Sequence, residues 1–328
     1  MKNGLLALIV ILILSCKQDQ KSNDLVKLSG PVFGTSFNIQ YTDDDNTNYI
    51  KQIDSLFNVV NQSLSTYIPD SDISKLNRNE LSEVDHYFVE VFNTSKLIYN
   101  ETNGVFDPTI GNVVNAWNFG AETNKFLTDS TTIDSLMQYV GFNKVSLNGH
   151  TINKPEATYL EFNAIAKGYG VDVIAEFLES ENITDYLVEI GGEIRVKGKN
   201  TEKDSHWKVG LDEPRFDGEQ SVFKALELKD EAMATSGTYR KFKIDENGNR
   251  YAHIINTKTG YPTKTNILSV SVIAPDCMTA DGYATAFQAM GIEKVTDFLT
   301  SHPELKVYLI YEDTNKTLKT LNLNNFPE

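Results

Sequence analysis

Two oxygen-bearing side chains lie one helical turn apart in the segment DGYATA, which begins at Asp281. Residues four positions apart on a helix share a face, so the Asp281 carboxylate and the Thr285 hydroxyl would point the same way. Hard oxygen donors of this kind are the ligands that Mg²⁺ prefers. The spacing suits a magnesium site, but such pairs are common, and it also fits a helix that Asp281 caps and in which Thr285 bonds back to its own backbone.

A second segment, EFNAIAKGYGVD, spans residues 161–172 and could bind a phosphate. The pattern predicts a strand that ends here and a helix that Asn163 caps, so free backbone N–H groups and the positive end of the helix dipole would meet. Lys167 in the first turn would add a full positive charge. The glycine spacing differs from that of a phosphate-binding Walker loop. A simple strand-to-helix joint with a surface lysine is the alternative.

His253 is the histidine with the most suggestive neighbours, because it stands in the segment RYAHIINTKTGYP. A histidine in a predicted strand could relay a proton, or it could be a neutral, hydrogen-bonded residue of the core. The sequence has no Ser/His/Asp order, no zinc-type cluster and no dinucleotide fingerprint. These three classes of site are therefore excluded.

The elements that must position these residues alternate between helices and strands. Helical periodicity predicts helices over residues 49–64, 71–76, 84–99, 131–140, 164–178, 279–290 and 292–299. Alternating or short apolar runs predict strands over residues 28–40, 144–147, 159–162, 186–196, 207–211, 222–228, 250–255, 268–274, 306–311 and 318–323. This mixed order, with hairpin turns, predicts an α+β fold in one domain rather than a doubly wound sheet.

The N-terminus predicts export and a lipid anchor. The apolar run after Lys2 is about ten residues long, whereas a helix that crosses a bilayer needs roughly 20. Residues 1–15 are therefore interpreted as a signal peptide, and the sequence before Cys16 resembles a bacterial lipobox. Residues 16–27 would form a lipidated tether, and residues 28–328 the globular domain.

Charge and cysteine content narrow the possible partners. The formal net charge is −15, which argues against a sequence-independent nucleic-acid binder. With Cys16 lipidated, Cys277 would be the one remaining cysteine, so a core must supply the stability instead of a disulfide. An anionic ligand would need local positive charge from a metal ion, a lysine or helix N-termini.

Several blocks together resemble the ApbE family, also called FAD:protein FMN transferase, from Gly30 to Leu309. The blocks follow the family's order: FGTSF, LSTYIPDSDISKLN, GVFDPTIGNVVNAWNFG, EFNAIAKGYGVD, VEIGGEIRVKG, ATSGTYRKF, RYAHIINTKTGYP and DCMTADGYATAF. The resemblance implies mixed sheets flanked by helices, with a flavin nucleotide site in a cleft between lobes.

The resemblance also implies roles for individual residues. Asp281, Thr285 and the Ala164 carbonyl would bind the catalytic Mg²⁺, and His253 would accept or relay a proton. The residues expected to contact FAD, the substrate, are Phe33, Tyr67, Trp117, Asn118, Phe119, Glu161, Lys167 and Ile254.

The implied reaction transfers the FMN half of FAD to a threonine hydroxyl of a target flavoprotein and releases AMP. The acceptor would belong to a membrane redox complex, and the enzyme would be anchored in the bacterial cell envelope through the lipid on Cys16, facing the periplasm. Two alternatives stay open: an FAD pyrophosphatase that gives FMN and AMP, and a non-catalytic flavin-binding lipoprotein.

Overall fold

The computed structural model describes residues 25–122, 129–219, 221–239, 242–244 and 250–327. The predicted signal peptide and Cys16, which is predicted to carry a lipid, lie outside the described residues. The first strand begins at Leu25, inside the segment predicted as a tether, so the chain joins the globule a little earlier than expected.

Eight α-helices lie in the described part of the chain. They are α1 (Ile50–Leu64), α2 (Asp72–Asn77), α3 (His86–Glu101), α4 (Gly111–Ala116), α5 (Ser130–Met137), α6 (Ala166–Ser180), α7 (Cys277–Met290) and α8 (Ile292–Leu299). All of the predicted helices are present with small shifts at their ends, and α4 is an addition. None of the helices in these described ranges is both long and apolar enough to cross a bilayer.

The strands of the described residues are β1 (Leu25–Val32), β2 (Thr35–Thr42), β3 (Ser146–Asn148), β4 (Thr151–Asn153), β5 (Tyr186–Ile190), β6 (Glu193–Lys197), β7 (Trp207–Asp212), β8 (Val222–Leu228), β9 (Ala232–Gly237), β10 (Phe242–Ile244), β11 (Arg250–Ala252), β12 (Ile267–Ala274), β13 (Lys306–Glu312) and β14 (Leu318–Leu323). Eight of them form one sheet in the order β1-β2-β5-β6-β9-β12-β13-β14. Every neighbouring pair in this sheet is antiparallel, which confirms the α+β class.

The large sheet is covered on both faces. Helices α6 and α7 pack on one face, against strands β5, β6, β9 and β12. The β7–β8 hairpin covers the other face, where Trp207 and Leu226 join Ile194 and Ile273 in one apolar cluster. Strand β12 is buried along its whole length because it has neighbours above and below. Helix α7 therefore packs against strands in the interior of the sheet.

Two predicted single strands are hairpins in the structure. The segment 28–40 reverses at Phe33 and Gly34, which both have positive φ, so it forms β1 and β2. The segment 186–196 reverses in the same way at Gly191 and Gly192 and forms β5 and β6. Two consecutive residues with positive φ make the tight turn that suits a hairpin. Apolar residues lie on both sides of each turn, so apolar content alone did not separate the two strands.

Further strand predictions need correction: the strand predicted over residues 250–255 ends at Ala252, and β4 and β10 were not predicted. Residues 159–162 do not form a strand, because only Tyr159 pairs, through an isolated bridge to Ile110. Conversely, β9 lies between β6 and β12 in the sheet, although no strand was predicted there. Its small and polar residues, AMATSG, lack the alternation by which strands are recognised in a sequence.

Candidate active site

A cavity of about 840 Å³ opens beside the N-termini of α6 and α7. Among the residues predicted for the site, those that line it are Phe33, Tyr67, Phe119, Glu161, Ala164, Lys167, His253, Ile254, Asp281 and Thr285. Its walls come from the β1–β2 turn, the end of α1, the loops around α4, the starts of α6 and α7, and the segment after β11. The structure therefore brings together segments that are far apart in the sequence.

Three candidate oxygen donors, those of Asp281, Thr285 and Ala164, line the cavity between α7 and the start of α6. The Asp281 side chain is buried at the cavity wall, and the Thr285 hydroxyl lies 3.5 Å from the Ala164 carbonyl oxygen. Asp281 does not cap its helix, because the α7 cap is Asp276, whose carboxylate accepts the Thr279 N–H at 2.7 Å. The capping alternative is therefore wrong for Asp281.

The start of α6 differs from its prediction in one detail. The residue before the helix is Ile165, and no side chain caps it, so Asn163 is not the cap. Instead, the Gly168 N–H donates to Asp281 Oδ2 at 3.0 Å. A backbone donor near this helix start thus holds a carboxylate of the neighbouring helix. This bond fixes the orientation of Asp281 relative to α6.

Lys167 is a residue of the cavity wall and not a free surface lysine. Its ammonium lies 2.5 Å from Oε2 of Glu193, a side chain of which only 3% is exposed. Burial lowers the pKa of Lys167, but the carboxylates of Glu193 and Asp281 raise it by more. Lys167 therefore remains protonated at neutral pH and can meet an anion that enters the cavity.

The cavity nevertheless has a surplus of negative charge. The charged residues that line it within the described chain are four acids, Asp107, Glu161, Glu193 and Asp281, and one base, Lys167. Burial raises the pKa of both Asp281 and Glu193, because an ionised carboxylate loses its hydration there. A ligand with its own negative charge can bind here only if additional positive charge enters the site.

His253 lies just after β11 and is half-buried at the cavity wall. It is therefore not an enclosed core histidine. Its ring is 6.4 Å from the ring of Phe119, in an edge-to-face arrangement, and Phe119 also lines the cavity. Ile254 follows it as an almost fully buried apolar contact. A proton acceptor with access to a bound ligand is thus available in this wall.

The aromatic residues of the site have different environments. Phe33 packs edge-on against Phe57, with 5.5 Å between ring centroids, and Tyr67 is 56% exposed at the cavity rim. Trp117 and Asn118 are not among the residues that line the cavity. The Trp117 indole N–H donates to the Gly260 carbonyl at 2.8 Å, so it supports the wall from behind. The contact of Trp117 and Asn118 with FAD stays a prediction.

Glu193 and Asp107 were not predicted as site residues. Glu193 begins β6, two residues after Gly191 and directly after Gly192. A charged residue directly after a pair of glycines, where the chain turns between two strands, is a signal that could have identified it. Asp107 is held by hydrogen bonds from Thr109 and from the backbone of Phe142, which marks it as a wall residue with a structural task.

Comparisons with known proteins agree on one family. The sequence profile of the ApbE family matches residues 33–309. The FAD:protein FMN transferase of Haemophilus influenzae is 36% identical, with 95% of this chain and 93% of that protein covered. The one from Vibrio cholerae is 38% identical over 90% of this chain and 89% of its own length.

Solved structures show the same likeness. The flavin transferase ApbE from Vibrio cholerae superimposes with a TM-score of 0.81 at 34% identity, covering 91% of this chain and 97% of that one. The ApbE protein from Thermotoga maritima gives a TM-score of 0.79 at 25% identity, covering 90% of this chain and 96% of that one.

Proposed function

The chain belongs to the ApbE family, and from that membership we infer that it is an FAD:protein FMN transferase. Such an enzyme takes FAD as its substrate and moves the FMN half onto an acceptor flavoprotein. We further propose that the reaction depends on Mg²⁺ and that the acceptor group is a threonine hydroxyl. AMP is then the second product.

The surplus of negative charge in the cavity supports the need for a metal ion. The diphosphate link of FAD is anionic, whereas four carboxylates and a single lysine are the charged groups along the described cavity wall. The residues that would hold Mg²⁺ are Asp281, Thr285 and Ala164, through a carboxylate, a hydroxyl and a carbonyl oxygen. The Thr285 and Ala164 oxygens already lie 3.5 Å apart, and an all-oxygen donor set fits this ion.

The proposed donor set is also consistent with the lack of a metal-binding acidic, histidine or cysteine cluster among the described residues. Within the described ranges, no group of three or more His, Cys, Asp or Glu side chains could hold a metal ion. A site built from one carboxylate, one hydroxyl and one backbone carbonyl falls outside such a cluster. Waters and substrate phosphates complete the coordination of Mg²⁺ in many nucleotide-dependent enzymes, so few protein ligands are needed.

The residues of the cavity wall would have different roles in the reaction. When bound, Mg²⁺ would polarise the diphosphate and neutralise part of its charge. Lys167 would hold a phosphate oxygen, and Tyr67, Phe119 and Ile254 would position the nucleotide. His253 would accept the proton of the threonine hydroxyl as its oxygen bonds to the FMN-side phosphorus and the bond to the AMP phosphate breaks.

We propose that the mature protein is tethered to the bacterial cell envelope through a lipid on Cys16 and faces the periplasm. Its acceptor would then be a flavoprotein of a membrane redox complex. Support comes from the short apolar leader and the lipobox-like sequence before Cys16. Mass spectrometry of the mature N-terminus, compared with Cys16→Ala, tests the anchor: an unlipidated wild-type terminus would contradict it.

The metal assignment is tested with Asp281→Ala, and Asp54→Ala on the exposed side of α1 serves as a charge-matched control. The proteins are incubated with FAD, Mg²⁺ and an acceptor domain. AMP is measured by chromatography, and attached flavin by its fluorescence in a denaturing gel. We expect Asp281→Ala to abolish both signals without loss of fold and Asp54→Ala to retain them.

The same assay separates the alternatives. AMP and free FMN without attached flavin would indicate a pyrophosphatase, and bound FAD without any AMP would indicate a flavin-binding protein. Full transfer by Asp281→Ala in Mg²⁺ buffer would refute the metal site proposed here.

A further inference from the structure

The first two turns of α6 and α7 are joined by hydrogen bonds in both directions: each helix contributes a carboxylate that accepts backbone N–H groups of the other helix. Asp172 of α6 accepts the Cys277 N–H at 2.9 Å through Oδ1 and the Met278 N–H at 2.7 Å through Oδ2. In return, Asp281 of α7 accepts the Gly168 N–H of α6 at 3.0 Å. On each helix, the donor and the acceptor are one turn apart. Each helix therefore supplies a carboxylate to the N-terminal N–H groups of the other.

The two backbones approach closely at this joint. A Cβ atom placed on Gly168 would lie 2.3 Å from the Cys277 carbonyl oxygen and 2.8 Å from the Asp281 Cβ. Only glycine fits there. With so little space, a small change in the contacts between the helices shifts α7 along or away from α6, and Asp281 and Thr285 move with it.

Three ion pairs join strand β6 to helix α6. Glu193, Arg195 and Lys197 alternate along the strand and therefore share one face. Their partners on α6 are Lys167 at 2.5 Å, Asp172 at 2.8 Å and Glu179 at 2.9 Å, in that order. The signs are complementary at every position.

Arg195 connects these three ion pairs to the contact between α6 and α7. Its guanidinium donates to Asp172 Oδ1, the atom that also accepts the Cys277 N–H. The Asp172 side chain is only 5% exposed, and a buried carboxylate is retained at such a cost only when its oxygens are satisfied. Asp172 thus contacts both the strand and the first two residues of α7.

We propose that Asp172 is a positioning residue for the metal site: it fixes the start of α7 against α6 and so brings Asp281 and Thr285 to the Ala164 carbonyl. This inference rests on the proposed function, because it concerns the ligands of the proposed Mg²⁺. Asp172 itself does not line the cavity. Its effect on the metal passes through the helix, as it does for outer-shell groups in other metal sites.

The direct test is Asp172→Asn. The variant keeps the shape of the side chain but has one acceptor oxygen for two backbone N–H donors, so one contact to α7 is lost and an NH₂ group faces a donor. The matched control is Asp276→Asn. Asp276 caps α7 alone, and asparagine is an equally good cap, so this control removes the same charge nearby without changing the contact between the helices.

Metal affinity is measured on the full mature chain with Mn²⁺ as the probe, by the loss of the free-ion EPR signal. The Mg²⁺ concentration that gives half-maximal AMP release is measured in parallel. We expect Asp172→Asn to weaken both by about tenfold, the low end for an outer-shell change. The rate at saturating Mg²⁺ should fall less. Asp276→Asn should stay within about twofold of wild type, given that it leaves these contacts in place.

A metal-free readout keeps the inference independent of activity. Amide hydrogen exchange of a peptide that covers Cys277 and Met278 should be faster in Asp172→Asn than in Asp276→Asn, because the first variant frees an N–H of α7. Equal exchange and equal metal affinity in the two variants would overturn the positioning role. A wild-type protein that binds no Mn²⁺ would instead overturn the metal site, and this inference with it.

A second variant covers the case in which Asp172→Asn does not fold. Cys277→Pro removes one N–H donor to Asp172 and places the proline Cδ along the former N–H direction, where Asp172 Oδ1 lies 2.9 Å from the nitrogen, so the start of α7 must shift away from Asp172. Proline is tolerated at the first position of a helix, and the preceding Asp276 is extended, as a residue before proline must be. Weakened Mn²⁺ binding by folded Cys277→Pro supports the role of Asp172, and unchanged binding contradicts it.

Discussion

Gly168→Ala should lower the rate of FMN transfer, because α6 and α7 could no longer approach each other as closely. The added Cβ would lie 2.3 Å from the Cys277 carbonyl oxygen, whereas ordinary contacts begin at 3.4 Å, so α6 and α7 must separate by about 1 Å (3.4 − 2.3). The 3.0 Å bond from the Gly168 N–H to Asp281 would then lengthen beyond hydrogen-bonding range. A displacement of about 1 Å in a catalytic group can cost about 100-fold in rate. We expect a loss of FMN transfer of that order.

The substitution should also lower stability. Overpacking at a buried contact costs about 1–3 kcal/mol and the loss of a hydrogen bond to a charged group about 1.5–3 kcal/mol, whereas alanine is favoured over glycine inside a helix by about 1 kcal/mol. The free energy of unfolding, measured with urea, should therefore fall by about 1.5–5 kcal/mol.

Gly210→Ala in β7 is the control, because its Cβ would meet Val222 at an ordinary 3.4 Å. It should leave transfer unchanged. If Gly168→Ala folds and transfers FMN at the wild-type rate, the close approach of the two helices does not set the geometry of the site.

Two further changes separate the charge of the site from the stability of the fold. Glu193→Gln removes the carboxylate beside Lys167, so the pKa of Lys167 should fall and an amine-selective reagent should label it faster at pH 8; unchanged labelling would contradict the pairing. Asp85→Ala removes the α3 cap, which accepts the Phe88 N–H at 2.9 Å and the Ser63 hydroxyl at 2.7 Å. It should cost about 1–2 kcal/mol in urea unfolding with no change in FMN transfer at 25 °C, whereas Asp85→Asn should retain most of that stability.

Features that depend on local spacing were predictable from the sequence. The one-turn separation of Asp281 and Thr285 is a property of any helix, and the structure confirms the helix and brings both residues to one cavity. The helical periodicity over residues 49–64 likewise predicted helix α1.

Features that depend on distant partners were not predictable. Glu193 meets Lys167, and Arg195 meets Asp172, only because β6 pairs beside β5 under α6. The register of a strand against a helix is set by packing across the whole sheet, so periodicity within one segment carries no information about it. The need for glycine at position 168 follows from the α6–α7 contact for the same reason.

The acidity of the cavity couples the binding of FAD to the binding of the metal ion. The ionised carboxylates on the described wall oppose the diphosphate of FAD, and Lys167 offsets only part of that repulsion. The proposed Mg²⁺ would be attracted by the same carboxylates and by the diphosphate. Its presence must therefore raise the affinity for FAD, and by linkage FAD must raise the affinity for Mg²⁺ by the same factor. An acidic wall thus discourages the binding of FAD without metal, and a site of this charge favours the dinucleotide and the cation together over either one alone.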